Sequence, residues 1–351
     1  MPTPFLYFIV LQCLLKINGE RTIYSTYHLL CGKKSSQTIQ DAHLFQLTQY
    51  FNTFNSLSRQ QFSEIIAELE SGNLILQGNN DVYKLTKSGI DLVKSGQKKY
   101  SFLKYLNGWK FQQTEIFWQR LSLLVQVVSH LTRNEIRYVP VQSNKDVQHW
   151  LKRFIQESNL RREELGVALY KELSNCFLGL NEFDPSILVI RLTGYNYIGL
   201  TEKQAAEALN EEPSFYHYQF ISLMHAVMNT VLGHKTSYPI LTCMIRDLQN
   251  DVPLTDSTRR TYELLKRGYS IDEISRIRKL KHNTIQDHIV ELSLQLSLFD
   301  ISPYVETNKI NRIMEAKDRS SSKQLRQIKE YVPDASYFEI RLVLTKYGGE
   351  P

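Results

Sequence analysis

The chain has 351 residues, 42% of them hydrophobic, with 42 basic and 36 acidic side chains and a formal net charge of +6. That is enough for two or three globular domains with sizeable cores, and the small surplus of charge permits a nucleic-acid partner without demanding one. Cys13, Cys31, Cys176 and Cys243 form no C-x-x-C and no paired motif with a nearby histidine, so neither a zinc knuckle nor a disulfide framework is suggested, and a reducing cytoplasm fits.

The apolar start from Phe5 to Leu15 is interrupted by Gln12, has no basic residue before it and no small-residue cleavage site after it. It is too short to span a bilayer and reads as a buried first helix. Next comes Gly32-Lys33-Lys34-Ser35-Ser36-Gln37. A phosphate-cradling Walker loop needs a glycine five residues earlier, where Tyr27 stands. What remains is a basic loop whose Lys33, Lys34, Ser35, Ser36 and Gln37 could contact a phosphodiester backbone, or an exposed turn capping a helix from Thr38.

Ser58 and Gln61 predict a capping box before Phe62, Ile65, Ile66 and Leu69, a helix that stops at Gly72. Leu74–Leu76 and Val82–Leu85 read as strands around the turn Gln77-Gly78-Asn79-Asn80-Asp81, with a new helix from Thr86. Helix, hairpin, helix is the order of a winged helix, which defines residues 1–97 as a winged-helix-like domain. Such folds bind DNA or protein, and this wing tip carries no cation.

Periodicity lapses at Gly96-Gln97-Lys98-Lys99, a candidate boundary, and residues 98–250 then read as a helical middle domain. Its tryptophans, Trp109, Trp118 and Trp150, recur at helical spacing and are expected in the core. Thr201 caps a short helix bearing Ala205, Ala206 and Leu209. The acidic turn Asn210-Glu211-Glu212-Pro213 leads into Phe215, Tyr216, His217, Tyr218 and Phe220. Acid and aromatics suit a protein partner better than DNA, making Tyr216 and Tyr218 candidate partner contacts; internal packing is the alternative.

Asn250-Asp251-Val252-Pro253 reads as a linker to a third domain, residues 251–351. Ser270 and Glu273 predict a capping box for a short helix with Ile271, Ile274 and Ile277 on its buried side. After a turn at Leu280, Asn283 is expected to cap a longer helix whose Ile285, Ile289, Leu292 and Leu296 form one stripe. This is a helix-turn-helix, the unit that lays its second helix in a major groove. The opposite face would present Thr284, Gln286, Asp287, His288 and Glu291, and the cations Arg276, Arg278, Lys279, Lys281 and His282 precede it. Asn283, Thr284, Gln286 and His288 are thus candidate DNA contacts beside Arg278, Lys279, Lys281 and His282, although Asp287 and Glu291 would bring acid to the phosphates. Further on, Lys323, Arg326 and Lys329 share a helix face and join the candidates. Ser336 and Glu339 predict a capping box for the last helix.

The chain has no glycine-rich nucleotide loop, no H-E-x-x-H, no G-x-S-x-G and no two-metal acidic cluster, so neither enzyme activity nor a cofactor or metal is expected. Leu264-Leu-Lys-Arg-Gly268, Ser270-Ile-Asp-Glu-Ile274, Asn283-Thr-Ile-Gln-Asp-His-Ile289 and Tyr337-Phe-Glu-Ile-Arg-Leu-Val-Leu344 resemble the helix-turn-helix domain at the C-terminus of many RecQ-type DNA helicases. The remainder, including Gly32–Asp41, is similar to the YpbB family of Bacillus-type bacteria, usually encoded beside a short RecQ-type helicase. The resemblance implies an accessory to that helicase, and no motor motif accompanies it. The expected fold is mainly α and multi-domain: winged-helix-like N-terminal domain with a small hairpin, helical middle, C-terminal helix-turn-helix. The expected role is a cytoplasmic DNA-binding accessory to a RecQ-type helicase in replication or repair, with association to the nucleoid compatible with it. A transcriptional regulator of duplex DNA and a protein-only adaptor are the alternatives.

Overall fold

The structure, a computed structural model, describes residues 4–158, 161–248, 254–320 and 325–348. It is mainly helical. In chain order the helices are α1 (Phe5–Ile17), α2 (Tyr24–Leu30), α3 (Ser36–Leu44) and α4 (Arg59–Ser71). The strands β1 (Ile75–Gln77) and β2 (Tyr83–Leu85) follow, then α5 (Lys87–Lys99), α6 (Thr114–Leu131), α7 (Lys145–Glu157), α8 (Arg162–Leu178) and α9 (Ser186–Val189). Next come α10 (Glu202–Ala208), α11 (Pro213–Gly233), α12 (Pro239–Ile245), α13 (Asp256–Lys266), α14 (Ile271–Arg278) and α15 (His282–Gln295). The chain ends with α16 (Thr307–Arg319), α17 (Leu325–Tyr331) and α18 (Tyr337–Tyr347).

The local grammar of the sequence holds at many ends. The capping boxes at Ser58, Thr201, Ser270 and Ser336 all form, each hydroxyl accepting from the backbone N–H three residues on. The hairpin pairs Ile75 with Leu85 and Gln77 with Tyr83, and Asn80 and Asp81 supply the left-handed residues of its turn. Helix, hairpin and α5 therefore follow one another as a winged helix requires. The stretch 96–99 is no loop, however; it is the last turn of α5, and a Cβ at Gly96 would meet the Phe8 ring at 2.2 Å.

The chain folds as two compact units made of non-adjacent segments: Met1–Ile9 with Val93–Gln249, and Val10–Leu92 with Asn250–Pro351. In the first, α11 is the central helix. It packs against α6, α8, α9, α10, α12 and the 3-10 turn Ser101–Tyr105. Tyr216 and Tyr218 are both 0% exposed, which corrects the expectation of a partner surface. Two residues apart on a helix, they point roughly 200° from each other, so both can be hidden only if neighbours enclose the helix on all sides. The Tyr216 hydroxyl donates to the Ile187 carbonyl at 2.7 Å, and the Tyr218 ring lies 5.5 Å from that of Phe5. Glu212, from the supposedly exposed acidic turn, caps α11 by accepting from the Ser214 and Phe215 N–H groups. Trp109 and Trp118 are buried as expected.

In the second unit, Ile274, Ile285, Ile289, Val290, Ile313, Ile340 and Val343 form one core that joins α14, α15, α16 and α18. Each such side chain contributes about 1.5–3 kcal/mol when fully buried. α3, from far upstream, packs on α2, α15 and α18. The loop entering α3 turns at Gly32, where φ is +68° and a Cβ would meet the Asn52 side chain at 2.3 Å, so only glycine fits. Ser35 caps α3, which begins at Ser36 rather than Thr38.

Candidate nucleic-acid interface

α14 starts at the Ser270 capping box and ends on Lys279, a C-cap in the left-handed region at φ 52°. The turn is therefore made by a lysine where glycine is the easiest residue. Ile274 is buried, whereas Ile277 is 52% exposed and not part of the core face. α15 then begins with Lys281 as its N-cap, with no side chain capping it. Asn283 lies inside the first turn and does not cap.

α15 is enclosed by α13, α14, α18 and α3. Every residue from His288 to Ser293 is buried. A major groove reads side chains on a solvent-facing helix surface, so the stretch past the first turn cannot serve as a reading face in this arrangement. His288 is accordingly corrected from a DNA contact to a core residue: its Nδ1 lies 2.8 Å from the Thr261 hydroxyl, and burial followed by the nearby Arg278 lowers its pKa to about 4. Glu291 does not face phosphates either. It is buried, accepts from the Thr255 N–H and from the Thr255 and Thr258 hydroxyls, and so caps α13. Burial raises its pKa against those hydrogen bonds and the field of Lys34. Asp287 is neutralised by Arg341 at 2.6 Å, and Arg341 also donates to Gln40 of α3.

The cations separate into spent and available. Arg278 is spent: Nη1 donates to the Ser257 carbonyl at 2.6 Å and Nη2 to the Ser257 hydroxyl at 3.0 Å, which ties α14 to α13. Burial first, then Arg260, draws its pKa below the usual value. Lys329 is also spent, its Nζ donating to the Pro333 and Ala335 carbonyls at 2.8 and 2.6 Å. Arg326 is exposed but 3.8 Å from Glu330, and Lys323 lies outside the described residues. Lys279 and Lys281 are exposed and take part in no ion pair among the described residues, Arg276 and Asn283 are exposed beside them, and Thr284 and Gln286 are half-buried. His282 is exposed, 3.5 Å from Asp272. In the α2–α3 loop Lys33 and Lys34 are exposed, Ser35 is occupied as the cap, Ser36 is half-buried and Gln37 is held by Asp41 at 2.8 Å. The reading by periodicity missed Arg259 and Arg260, both exposed on α13; their position in the first turns of the helix packed on α15 was the available signal.

The first unit carries a different feature. An apolar cavity of about 1070 Å³ opens among α6, α8 and α9, with Val128, Leu169, Leu173, Phe177 and Leu188 in its walls. Tyr170 and Leu178 also line it and are 72% and 76% exposed.

Two short helices joined at Lys279 and packed on a third define a helix-turn-helix protein, and residues 257–344 match the family model described as a helix-turn-helix domain. Over 341 residues the chain is 35% identical to Protein YpbB of Bacillus subtilis (strain 168), covering 96% of each. The chain belongs to the YpbB family. No solved structure matches it. Among the described residues no helix is long and apolar enough to cross a membrane.

Proposed function

We propose that the protein is a non-enzymatic, DNA-binding accessory factor that recruits or assists a RecQ-type helicase in replication or repair. The observation that carries the DNA half is the exposed pair Lys279 and Lys281 at the turn of the helix-turn-helix, in no ion pair among the described residues. With α15 enclosed beyond its first turn, contact is to phosphates rather than base edges, and binding is weak, electrostatic and tolerant of sequence. The helicase half rests on the resemblance of the segment from Asp256 to Lys346 to the C-terminal domain of RecQ-type helicases, and on the open apolar cavity of the first unit as a surface for a protein partner. Co-purification of the native protein with and without nuclease tests it. A RecQ-type helicase retained after nuclease supports the reading; loss of the helicase in both preparations refutes the partnership. A protein-only adaptor is the second reading, favoured by the burial of His288 to Ser293.

The turn cations can be removed without weakening the fold, because each stands where another residue suits the backbone better. Lys279→Gly relieves a left-handed lysine, and Lys281→Ser supplies the missing cap; each is expected to leave stability unchanged or raise it by about 0.5–1 kcal/mol. Duplex DNA affinity is expected to follow log salt with a slope of about −4 to −5 and a Kd in the micromolar range or weaker. The double variant should lower that slope by about 2, since each phosphate contact contributes roughly 0.9. Melting temperature together with a salt titration by fluorescence anisotropy checks this, and an unchanged slope on a stable double variant would exclude the turn as the contact.

A further inference from the structure

Three segments that are far apart in sequence put cations around the first turns of α13. Arg278 reaches back from the end of α14 to Ser257, with Nη1 2.6 Å from its carbonyl and Nη2 3.0 Å from its hydroxyl. Arg260, one turn further along α13, lies close enough to Arg278 to repel it. Arg259 and Arg260 are exposed, and among the described residues neither takes part in an ion pair. From the other side, the exposed Lys34 lies within electrostatic reach of Glu291, whose carboxylate accepts from the Thr255 N–H and hydroxyl at the head of the same helix. Glu291 is 3% exposed and held by three hydrogen bonds, so it forms no surface ion pair with these cations. Asp256 is exposed in the first turn of α13, and Glu263, one turn past Arg260, pairs with Lys266. Exposed like charges that make no ion pair among the described residues repel, and the arrangement is relieved when a polyanion lies across it. Several separate side chains, from the α2–α3 loop and from α13, suit a chain of phosphates rather than one small anion.

We propose that the nucleic-acid surface is composite, with Lys33 and Lys34 from the N-terminal segment and Arg260 of α13 gripping the phosphodiester backbone together with the helix-turn-helix. This rests on the DNA-binding reading above. It adds that the helix-turn-helix alone makes only part of the contact, and that the lysine loop leads into α3, which packs on α15 and α18, the former carrying the Glu291 that caps α13. The loop's conformation is held by Gly32 at one end and the Ser35 cap at the other, so the two lysines are presented by a defined backbone.

The test uses the full chain and a short duplex DNA, with affinity followed against salt by anisotropy. Lys33→Gln with Lys34→Gln is expected to lower the slope of log K against log salt by about 2, and Arg260→Gln by about 1. Lys145→Gln with Lys152→Gln, exposed on α7 of the other unit, removes the same charge and should leave the slope unchanged. Thermal melting confirms that each variant is folded. Wild-type slopes in both the lysine and the Arg260 variants would overturn the composite surface while leaving the DNA reading intact. An equal loss in the α7 control would also overturn it, because the effect would then follow net charge and not position. A wild-type chain that fails to bind the duplex even at low salt refutes the DNA reading itself, and the composite surface with it.

Discussion

Tyr216→Ala is expected to destabilise the first unit by about 3–5 kcal/mol, a large part of the stability of an ordinary domain. The ring is fully buried in α11 and the hydroxyl donates to the Ile187 carbonyl at 2.7 Å, so truncation leaves a cavity and an unsatisfied acceptor together. Tyr216→Phe keeps the volume and loses only the hydrogen bond, at about 0.5–1.5 kcal/mol. Burial already pushes the phenol up to about 12, consistent with a neutral hydroxyl in an apolar setting. Urea denaturation followed by tryptophan fluorescence separates the two variants, since Trp109, Trp118 and Trp150 all belong to this unit. An alanine variant as stable as the wild type would return Tyr216 to the surface and revive it as a partner contact.

The second large effect is loss of stability in mild acid. His225 is buried, with Nδ1 accepting from the Asn107 N–H at 3.0 Å and Nε2 lying 2.9 Å from the Thr114 hydroxyl, and burial lowers its pKa to about 3. His288, buried in the second unit, is lowered to about 4. Both histidines titrate near 6.5 once unfolded. A depressed folded value means that the stability is fully present above pH 6.5 and is lost as the pH falls toward the folded values. Acidification from pH 7 to 4.5 is therefore expected to cost roughly 2–3 kcal/mol through His225 in the first unit and as much through His288 in the second, where the half-buried His43, lowered to about 4, adds to the loss. Glu291 acts in the opposite sense, because its raised pKa makes its contribution complete in acid and lost as the pH rises through the folded value. Urea midpoints measured between pH 7 and pH 4.5 check the balance: fluorescence follows the first unit and far-ultraviolet circular dichroism follows both. Midpoints that stay constant over that range would show that the histidines are solvated.

What sequence alone determined was local. Ser58, Thr201, Ser270 and Ser336 each cap a helix through an interaction three residues long, and the Asn80-Asp81 turn sets its hairpin through backbone conformation. Such signals need no partner from elsewhere in the chain. The helix-turn-helix was legible for the same reason, its two helices lying within one short stretch. Which side of each helix meets solvent was not legible. Tyr216 and Tyr218 look exposed beside an acidic turn, yet α11 is surrounded. His288 and Glu291 look like a reading face, yet α13, α18 and the distant α3 cover α15. Periodicity reports that one stripe of a helix is apolar, and polar residues on the other side can still be buried when Thr255, Thr258 and Thr261 arrive to satisfy them. The tertiary structure also decided which cations are free. Arg278 and Lys329 were indistinguishable by composition from Lys279 and Lys281, and only the carbonyls of Ser257, Pro333 and Ala335, brought within hydrogen-bond distance by packing, separate the spent charges from those in no ion pair among the described residues.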